Sequence, residues 1–230
     1  LRGQHRRKNG PAASTLSPAD IRAFIIENLR LEPVPGLPEI RLYAAHPGSG
    51  LGRLGASGRD DSPPYWAYNW AGGILLAKHV LNHPSIVRGR RVLDLGAGSG
   101  IVGIAARKCG ASAVIAAEID ANAIAALSLN AEANDVAIEA LNADILSGAP
   151  APDVDVILAG DVFYNAELAS RVLPFLTSRR QAGVDVLIGD PRRSSLPLTA
   201  LRLVAEYAVP DFGLGSGGDA AIGGVFALEA

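Results

Sequence analysis

The chain has 230 residues, 49% of them apolar, and its 21 Lys and Arg against 23 Asp and Glu leave a net charge of -2 at pH 7. That balance excludes a general electrostatic pull towards nucleic acid, and no apolar run approaches a membrane span, so neither partner is expected. A lone Cys109 excludes an internal disulfide and fits a reducing compartment.

Leu1 to Ala13 carries Arg2, His5, Arg6, Arg7 and Lys8 without an acid, the composition of a transit segment, a flexible tail or an appended remnant. Residues 1–15 are therefore set apart as a tail. A bacterial cytoplasm is the expected location, or a mitochondrial matrix if the tail is a transit remnant. Ser17-Pro18 then starts a capped helix expected to run from Ala19 to Arg30, with Asp20 near its positive end. Leu31 to Pro64 is rich in proline and glycine, with Ile40 to Tyr43 its only strand-like piece, and Gly48 to Asp61 reads as a mobile segment or lid. Ala71 to Leu81 is a helix closed by Asn82-His83-Pro84. Residues 16–84 thus form an extension packed on a main domain of residues 85–230.

From Arg91 strands and helices alternate: strand Arg91 to Leu95, helix Gly100 to Cys109, strand Ala113 to Glu118, helix Ala121 to Ala133 and strand Ala137 to Asn142. Strand Val154 to Gly160, helix Ala166 to Ser178, strand Val184 to Gly189 and helix Ser195 to Ala205 follow. Runs such as Val156-Ile157-Leu158-Ala159 suit strands covered by helices on both faces. Tyr207 to Val209 and Gly224 to Leu228 read as a closing strand pair joined by the Gly213 to Gly218 link. The expected fold is α/β: a doubly wound, mainly parallel seven-stranded, Rossmann-like sheet with an antiparallel C-terminal pair and an N-terminal helical extension.

The most informative stretch is Val92-Leu93-Asp94-Leu95-Gly96-Ala97-Gly98-Ser99-Gly100. A strand runs into a glycine turn and a helix N-terminus, where backbone N–H groups meet a ligand's polar end. Glu118 ends the next strand, placed to grip two ribose hydroxyls. A dinucleotide fingerprint would want glycine at 101, where Ile101 stands. Asp94 would repel a pyrophosphate yet can hold an ammonium group. A ribose at one end and a zwitterionic amino acid at the other describes S-adenosylmethionine, with S-adenosylhomocysteine as the spent form.

Further side chains cluster at the strands' carboxyl ends, where ligands bind in such sheets. Asp144 can accept from an adenine amino group while Ile145 or Leu146 packs on the ring, or it can simply cap a turn. Asp161 and Tyr164 can orient an amine nucleophile, and Phe163 can wall the transfer site. Alternatively Asp161 caps the next helix and Phe163 is core. Tyr65, Trp66, Tyr68 and Trp70 form either a hydrophobic clamp or a channel for an alkyl-ammonium group. Arg192 and Arg193 can meet acidic groups of a partner, though solvated loop arginines are commoner. The histidines have no ligand-like spacing, and no metal site is expected.

Together these residues resemble the class I, seven-β-strand S-adenosylmethionine-dependent methyltransferases. More closely, they resemble the branch that methylates lysines in proteins, in particular the electron transfer flavoprotein β-subunit lysine methyltransferases. The resemblance rests on Pro64-Tyr65-Trp66-Ala67 with Trp70-Ala71-Gly72-Gly73, the Val92 to Gly100 turn, Gly160-Asp161-Val162-Phe163-Tyr164 and Leu187-Ile188-Gly189-Asp190-Pro191. It covers roughly Pro63 to Val209. It implies Gly96, Gly98 and Glu118 at the cofactor, with Trp70 and Asp144 near its adenosyl group, and Asp161 and Tyr164 as essential to activity. Asp94, Ile145 and Gly160 are expected at the cofactor beside them, and Trp66, Phe163 and Arg192 towards the substrate. Glu118 stands where relatives often carry aspartate. A ribosomal-protein lysine methyltransferase, a small-molecule amine methyltransferase and a non-catalytic cofactor-binding protein are the alternatives. A base-methylating enzyme is disfavoured, because Asp161-Val162-Phe163-Tyr164 is not an (Asp/Asn)-Pro-Pro-(Tyr/Phe) motif.

Overall fold

A computed structural model describes residues 17–55, 63–148, 150–209 and 221–229. The basic tail, the Gly213 to Gly218 link and residues 56–61 of the expected lid lie outside them.

Helix α1 (Pro18–Asn28) begins with a reciprocal capping box: Ser17 Oγ accepts from the Asp20 N–H at 3.2 Å, and Asp20 Oδ2 from the Ser17 N–H at 3.0 Å. It stops two residues before the expected Arg30, because Arg30 already pairs with Ala44. Strand β1 (Arg30–Val34) and strand β2 (Leu37–Ala44) form an antiparallel hairpin through Gly36, whose φ of 79° suits glycine. Reading the sequence missed β1 because its exposed residues and Pro33 hide any alternation of apolar side chains. The short turn α2 (Gly52–Gly55) and a 3-10 turn at Tyr65–Ala67 lead to helix α3 (Ala71–Asn82).

The main sheet contains β3 (Arg91–Leu95), β4 (Ala113–Glu118), β5 (Glu139–Asn142), β6 (Val156–Gly160), β7 (Asp185–Asp190), β8 (Leu201–Val209) and β9 (Ala221–Leu228). Its order is β5-β4-β3-β6-β7-β9-β8, parallel from β5 to β7 and antiparallel across β9 and β8. Helices α4 (Ile101–Lys108), α5 (Ala121–Ala133) and α6 (Ala166–Gln181) connect the parallel strands. This is the mainly parallel seven-stranded sheet with a C-terminal antiparallel pair that the sequence implied.

One expected helix is absent. Ser195 to Ala205 holds only a 3-10 turn at Leu198–Ala200, after which the chain enters β8. Pro197 supplies no N–H and disfavours helix before it, while pairing with β9 claims the residues from Leu201 onward.

Alternate strand residues face opposite layers. Val92, Val156, Leu158 and Val225 pack with Ile74, Leu75, Leu76 and Ile104 of α3 and α4. Leu93, Ile157, Ala159 and Ile188 pack with Val172 and Leu176 of α6. Helix α3, grouped by sequence with the extension, is thus a layer on the sheet. The N-terminal extension proper seats Ile21 and Ile25 of α1, with Trp66, against Ala123, Ala126 and Leu129 of α5.

The start of α3 touches the sheet with almost no space between backbones. A Cβ on Gly72 would lie 2.2 Å from the Gly189 carbonyl oxygen, and one on Gly189 would lie 2.2 Å from the Gly72 carbonyl oxygen. Gly189→Ala should therefore cost about 3 kcal/mol, the upper end of the range for overpacking. Gly52→Ala, with open space around it, should melt like wild type, and comparing the two thermal transitions checks the assignment.

Candidate functional site

Sheet order reverses between β3 and β6, and a crevice opens at the carboxyl ends of these strands, as the topology requires. A cavity of about 420 Å³ occupies it, within the size range of cofactor pockets. Its walls come from the turn after β3, the ends of β4 and β6, the segment after β5, and the aromatic stretch before α3.

The turn after β3 depends on Gly96, Gly98 and Gly100, with φ of 67°, 51° and 81°. Gly100 is the N-cap of α4 and has no side chain to offer. Asp94 compensates: its Oδ2 accepts from the Gly103 N–H at 2.8 Å, one of the donors that a helix start leaves without an internal partner. The carboxyl is almost fully buried at 1% exposure, and burial pushes its pKa up to about 7, opposed by the Gly103 bond.

Glu118 ties two walls together. Its Oε2 accepts from the Gly98 N–H at 2.9 Å, and its Oε1 from the N–H groups of Ile119 and Asp120. Ile119 beside it is 68% exposed, an apolar surface on the cavity wall. Across the cavity, Asp144 Oδ1 accepts from the Leu146 N–H at 3.0 Å and its Oδ2 pairs with Arg171 at 2.5 Å. Asp144 is thus a turn cap and an ion-pair partner, with buried Ile145 following it on the wall. Carboxylates, glycine-lined backbone and apolar Ile119, Ile145 and Leu146 fit a nucleoside carrying a cationic amino-acid tail.

After β6 the chain takes φ of 60° at Asp161, an unfavourable conformation for a residue with a Cβ. The turn sends successive side chains apart. Asp161 and Tyr164 line the cavity, whereas Phe163 is fully buried in the layer under α6 and does not reach it. The wall role expected of Phe163 is therefore corrected: it is core. Asp161 does not cap the next helix either, since Asn165 does so through the Leu168 N–H. Asp161 Oδ2 instead accepts from the Gly73 N–H at 2.7 Å, and its Oδ1 lies 2.7 Å from Arg193 Nη1. Gly160 lines the cavity while packing on Gly73.

Tyr65, Tyr68, Trp70 and Tyr164 form a rim. Ring centroids lie 5.7 Å apart for Tyr65–Trp70, 6.3 Å for Tyr68–Trp70 and 6.1 Å for Tyr65–Tyr164. The Trp70 indole N–H donates to the Tyr65 carbonyl at 2.6 Å. The three tyrosines are about half exposed, an unusual state for so many large rings in one place. Trp66 lines the cavity from beneath, largely buried at 3% exposure.

A second correction concerns the arginine pair. Arg192 has φ of 69°, ion-pairs with Glu206 and stands over the Phe226 ring, away from the cavity. Arg193 is the one that lines it, bridging Asp161 and the buried Asp190. Sequence reasoning missed Asp190 and the Gly72–Gly73 contact. Asp190 stands three residues before Arg193, but only the backbone turn at Arg192 decides which arginine faces inward. Among the described residues no three His, Cys, Asp or Glu side chains gather as a metal site.

The chain is similar to known proteins in sequence and in fold. The family "Ribosomal protein L11 methyltransferase (PrmA)" matches residues 80–166. The electron transfer flavoprotein beta subunit lysine methyltransferase of Xenopus laevis is 41% identical over 197 residues, covering 83% of this chain and 79% of that protein. The protein of the same name from Danio rerio is 38% identical over 206 residues, covering 86% and 80%. The solved ribosomal protein L11 methylase of Lactobacillus delbrueckii subsp. bulgaricus superposes with a TM-score of 0.51 at 22% identity, over 71% of this chain and 81% of that one, and shares its fold.

The buried Asp94 yields a prediction. A cationic ligand needs its ionised form, so ligand affinity should rise with pH through about 7 and a proton should leave on binding. Folding stability runs the other way: a carboxyl with a raised folded pKa loses stability as pH climbs from the ordinary carboxylate range to about 7. Asp94→Asn should flatten both dependences. Titration calorimetry in buffers of different ionisation enthalpy, with melting curves across the same pH range, reads both.

Proposed function

The chain belongs to the electron transfer flavoprotein β-subunit lysine methyltransferases, within the class I methyltransferases that use S-adenosylmethionine, and from that premise we propose that it methylates lysine in the β-subunit of that flavoprotein. The observation that carries the reading is the joining of two halves: a cavity suited to a nucleoside with a cationic tail, and an exposed aromatic rim at its mouth. The L11 methyltransferase match, residues 80–166, contains the glycine turn, the end of β4 and also Asp161 and Tyr164, but not Tyr65, Tyr68 and Trp70 of the rim. It therefore speaks for a shared cofactor half and shared amine-holding groups, and not for a ribosomal substrate. We place the activity in whichever compartment holds the flavoprotein, a bacterial cytoplasm or a mitochondrial matrix.

When bound, the cofactor would supply a methyl group on a sulfonium, whose carbon a neutral amine attacks in line as the C–S bond breaks and the neutral thioether leaves. We assign its tail to the Gly96–Gly98 turn and Asp94, its ribose to Glu118, and its adenine to the wall formed by Asp144, Ile145 and Ile119. Glu118 accepts three backbone N–H bonds, so a carboxylate's remaining acceptor capacity, about one lone pair, is open to a hydroxyl.

A lysine ammonium must first lose its proton. From an ordinary pKa of about 10.4, holding it neutral at pH 7 costs about 4–5 kcal/mol. Rings at the mouth lower that cost by excluding water, since desolvation disfavours the charged amine. The alkyl stem lies along Tyr65, Tyr68 and Tyr164, and Trp66 backs the pocket beneath. Asp161 Oδ2, with a lone pair left beyond the Gly73 N–H, accepts an N–H of the neutral amine and so aims the amine's lone pair at the methyl group. Tyr164 helps to hold the amine. Its phenol pKa is pushed above the ordinary range, first by burial and then by Tyr65, so it remains a neutral donor and acceptor at physiological pH. Positioning of this kind can supply about 7–11 kcal/mol of a barrier.

The decisive assay offers labelled cofactor with purified electron transfer flavoprotein and, separately, a cell lysate. Label on the β-subunit is expected. Label only on another protein would retain the enzyme class and discard the substrate. Asp161→Asn keeps an oxygen for the Gly73 N–H, and it should slow transfer by about 10²-fold or more while cofactor titration is unchanged. Parallel loss of both would make Asp161 a cofactor or structural residue.

A further inference from the structure

The turn after β7 contains a chain of charges that reaches from the sheet interior to the site. Asp190 is fully buried. Its Oδ1 accepts from the Arg193 N–H at 2.7 Å, and its Oδ2 lies 3.2 Å from Arg193 Nη1. The same Nη1 stands 2.7 Å from Asp161 Oδ1, so one guanidinium nitrogen serves two carboxylates. Asp161 Oδ2 holds the Gly73 N–H at 2.7 Å, and the Asp161 N–H donates to the Gly189 carbonyl at 3.0 Å.

Both oxygens of Asp161 are held, Oδ2 by the Gly73 N–H and Oδ1 by the ion contact with Arg193, which is not aligned as a hydrogen bond. A carboxylate held at one oxygen can swing about χ2; held at both, it presents its remaining lone pairs in one direction. The Arg193 side chain is itself three-quarters covered, at 24% exposure, so it is not a solvated loop arginine. Burying its charge is tolerable because both partners are close, Asp190 also accepts from the Arg193 backbone N–H, and Asp161 also accepts from Gly73. Gly73 is the third residue of α3, and its N–H has no partner within the helix. Holding Asp161 therefore also holds the start of α3, to which the Tyr65–Trp70 rim is attached.

We propose that Arg193, anchored by Asp190, is a positioning residue that locks the Asp161 carboxylate towards the reacting amine and, through Gly73, sets the aromatic rim over the cavity. The proposal rests on the methyl-transfer reading for its kinetic consequence, but not for its structural one.

Two readouts on the whole chain separate these. In amide exchange followed by NMR, Arg193→Ala should accelerate the Gly73 N–H, which Asp161 alone protects. The Gly103 N–H, held by Asp94 at the other helix start, should exchange as in wild type. In steady-state transfer, Arg193→Ala should lower kcat about 10²-fold, the scale of a small misplacement of reacting groups. Affinity for the cofactor should not change, and KM for the protein substrate should rise by less than kcat falls, through the loosened rim. Arg193→Lys keeps a cation that can reach both carboxylates and should restore most of kcat and of Gly73 protection. If Arg193→Ala fails to fold, Arg193→Lys and Asp190→Asn carry the test. Asp190→Asn retains an acceptor for the Arg193 N–H, loosens the guanidinium, and should show a partial loss in both readouts. Unchanged Gly73 exchange in the folded variants would overturn the proposal. So would a raised KM at constant kcat, which would make Arg193 a substrate contact. Should wild type transfer nothing to the flavoprotein, the substrate reading fails while Gly73 exchange still decides the role of Arg193.

Discussion

The site is built around one close contact, the start of α3 against the ends of β6 and β7. Gly72 meets the Gly189 carbonyl, and Gly160 lies against the backbone of Gly73. Any larger residue at these points would lift the helix off the sheet. At that separation an aspartate side chain at the end of β6 spans to the helix backbone, and the residues just before the helix hang over the crevice. The cofactor cavity and the aromatic rim are thus held together by the absence of four side chains.

Two helix starts then share one device. The N-cap residues of α3 and α4, Trp70 and Gly100, make no side-chain cap bond. In each helix the third N–H goes instead to an aspartate on a neighbouring strand or its end: Gly73 to Asp161 and Gly103 to Asp94. β3 and β6 are the pair at which the sheet order reverses. The acids nearest to the proposed chemistry therefore also terminate the helices that frame it. Replacing either by alanine removes a functional group and uncaps a helix together, so isosteric amides are the informative substitutions.

The sheet was legible because both of its faces are covered: β3 and β4 are short apolar runs, and their bounds could be read directly. Elements with one wet face were harder. β1 is largely exposed and contains Pro33, and β8 begins inside a stretch whose apolar residues also suit a helix. Only pairing with β2 and β9 decides these strands, and pairing is not a local property. At the site, residue types announced a cluster but not directions. Asp161, Phe163 and Tyr164 diverge because Asp161 adopts a positive φ, and Arg192 and Arg193 diverge because Arg192 does. Asp enters that region more readily than most residues and Arg does not, so neither position announces its turn as a glycine would. The chain therefore showed which segments meet, while backbone geometry chose which side chains face inward.

Charge divides the cavity into two halves with different tasks. Asp144 and Asp161 have guanidinium partners in Arg171 and Arg193, whereas Asp94 and Glu118 are held by backbone N–H groups. Backbone donors orient a carboxylate without cancelling its charge. Glu118 thus keeps its charge for an arriving cation, and Asp94, pushed up to about 7, gives up its proton as a cation binds. Beside Asp161 the guanidinium is shared with Asp190, so it offsets only part of the charge of the two carboxylates. An acid with no cation beside it would hold the lysine as its ammonium, the form without a lone pair. Arg193 weakens that hold and leaves an acceptor for the neutral amine, so it favours the reactive form of the nucleophile without touching it.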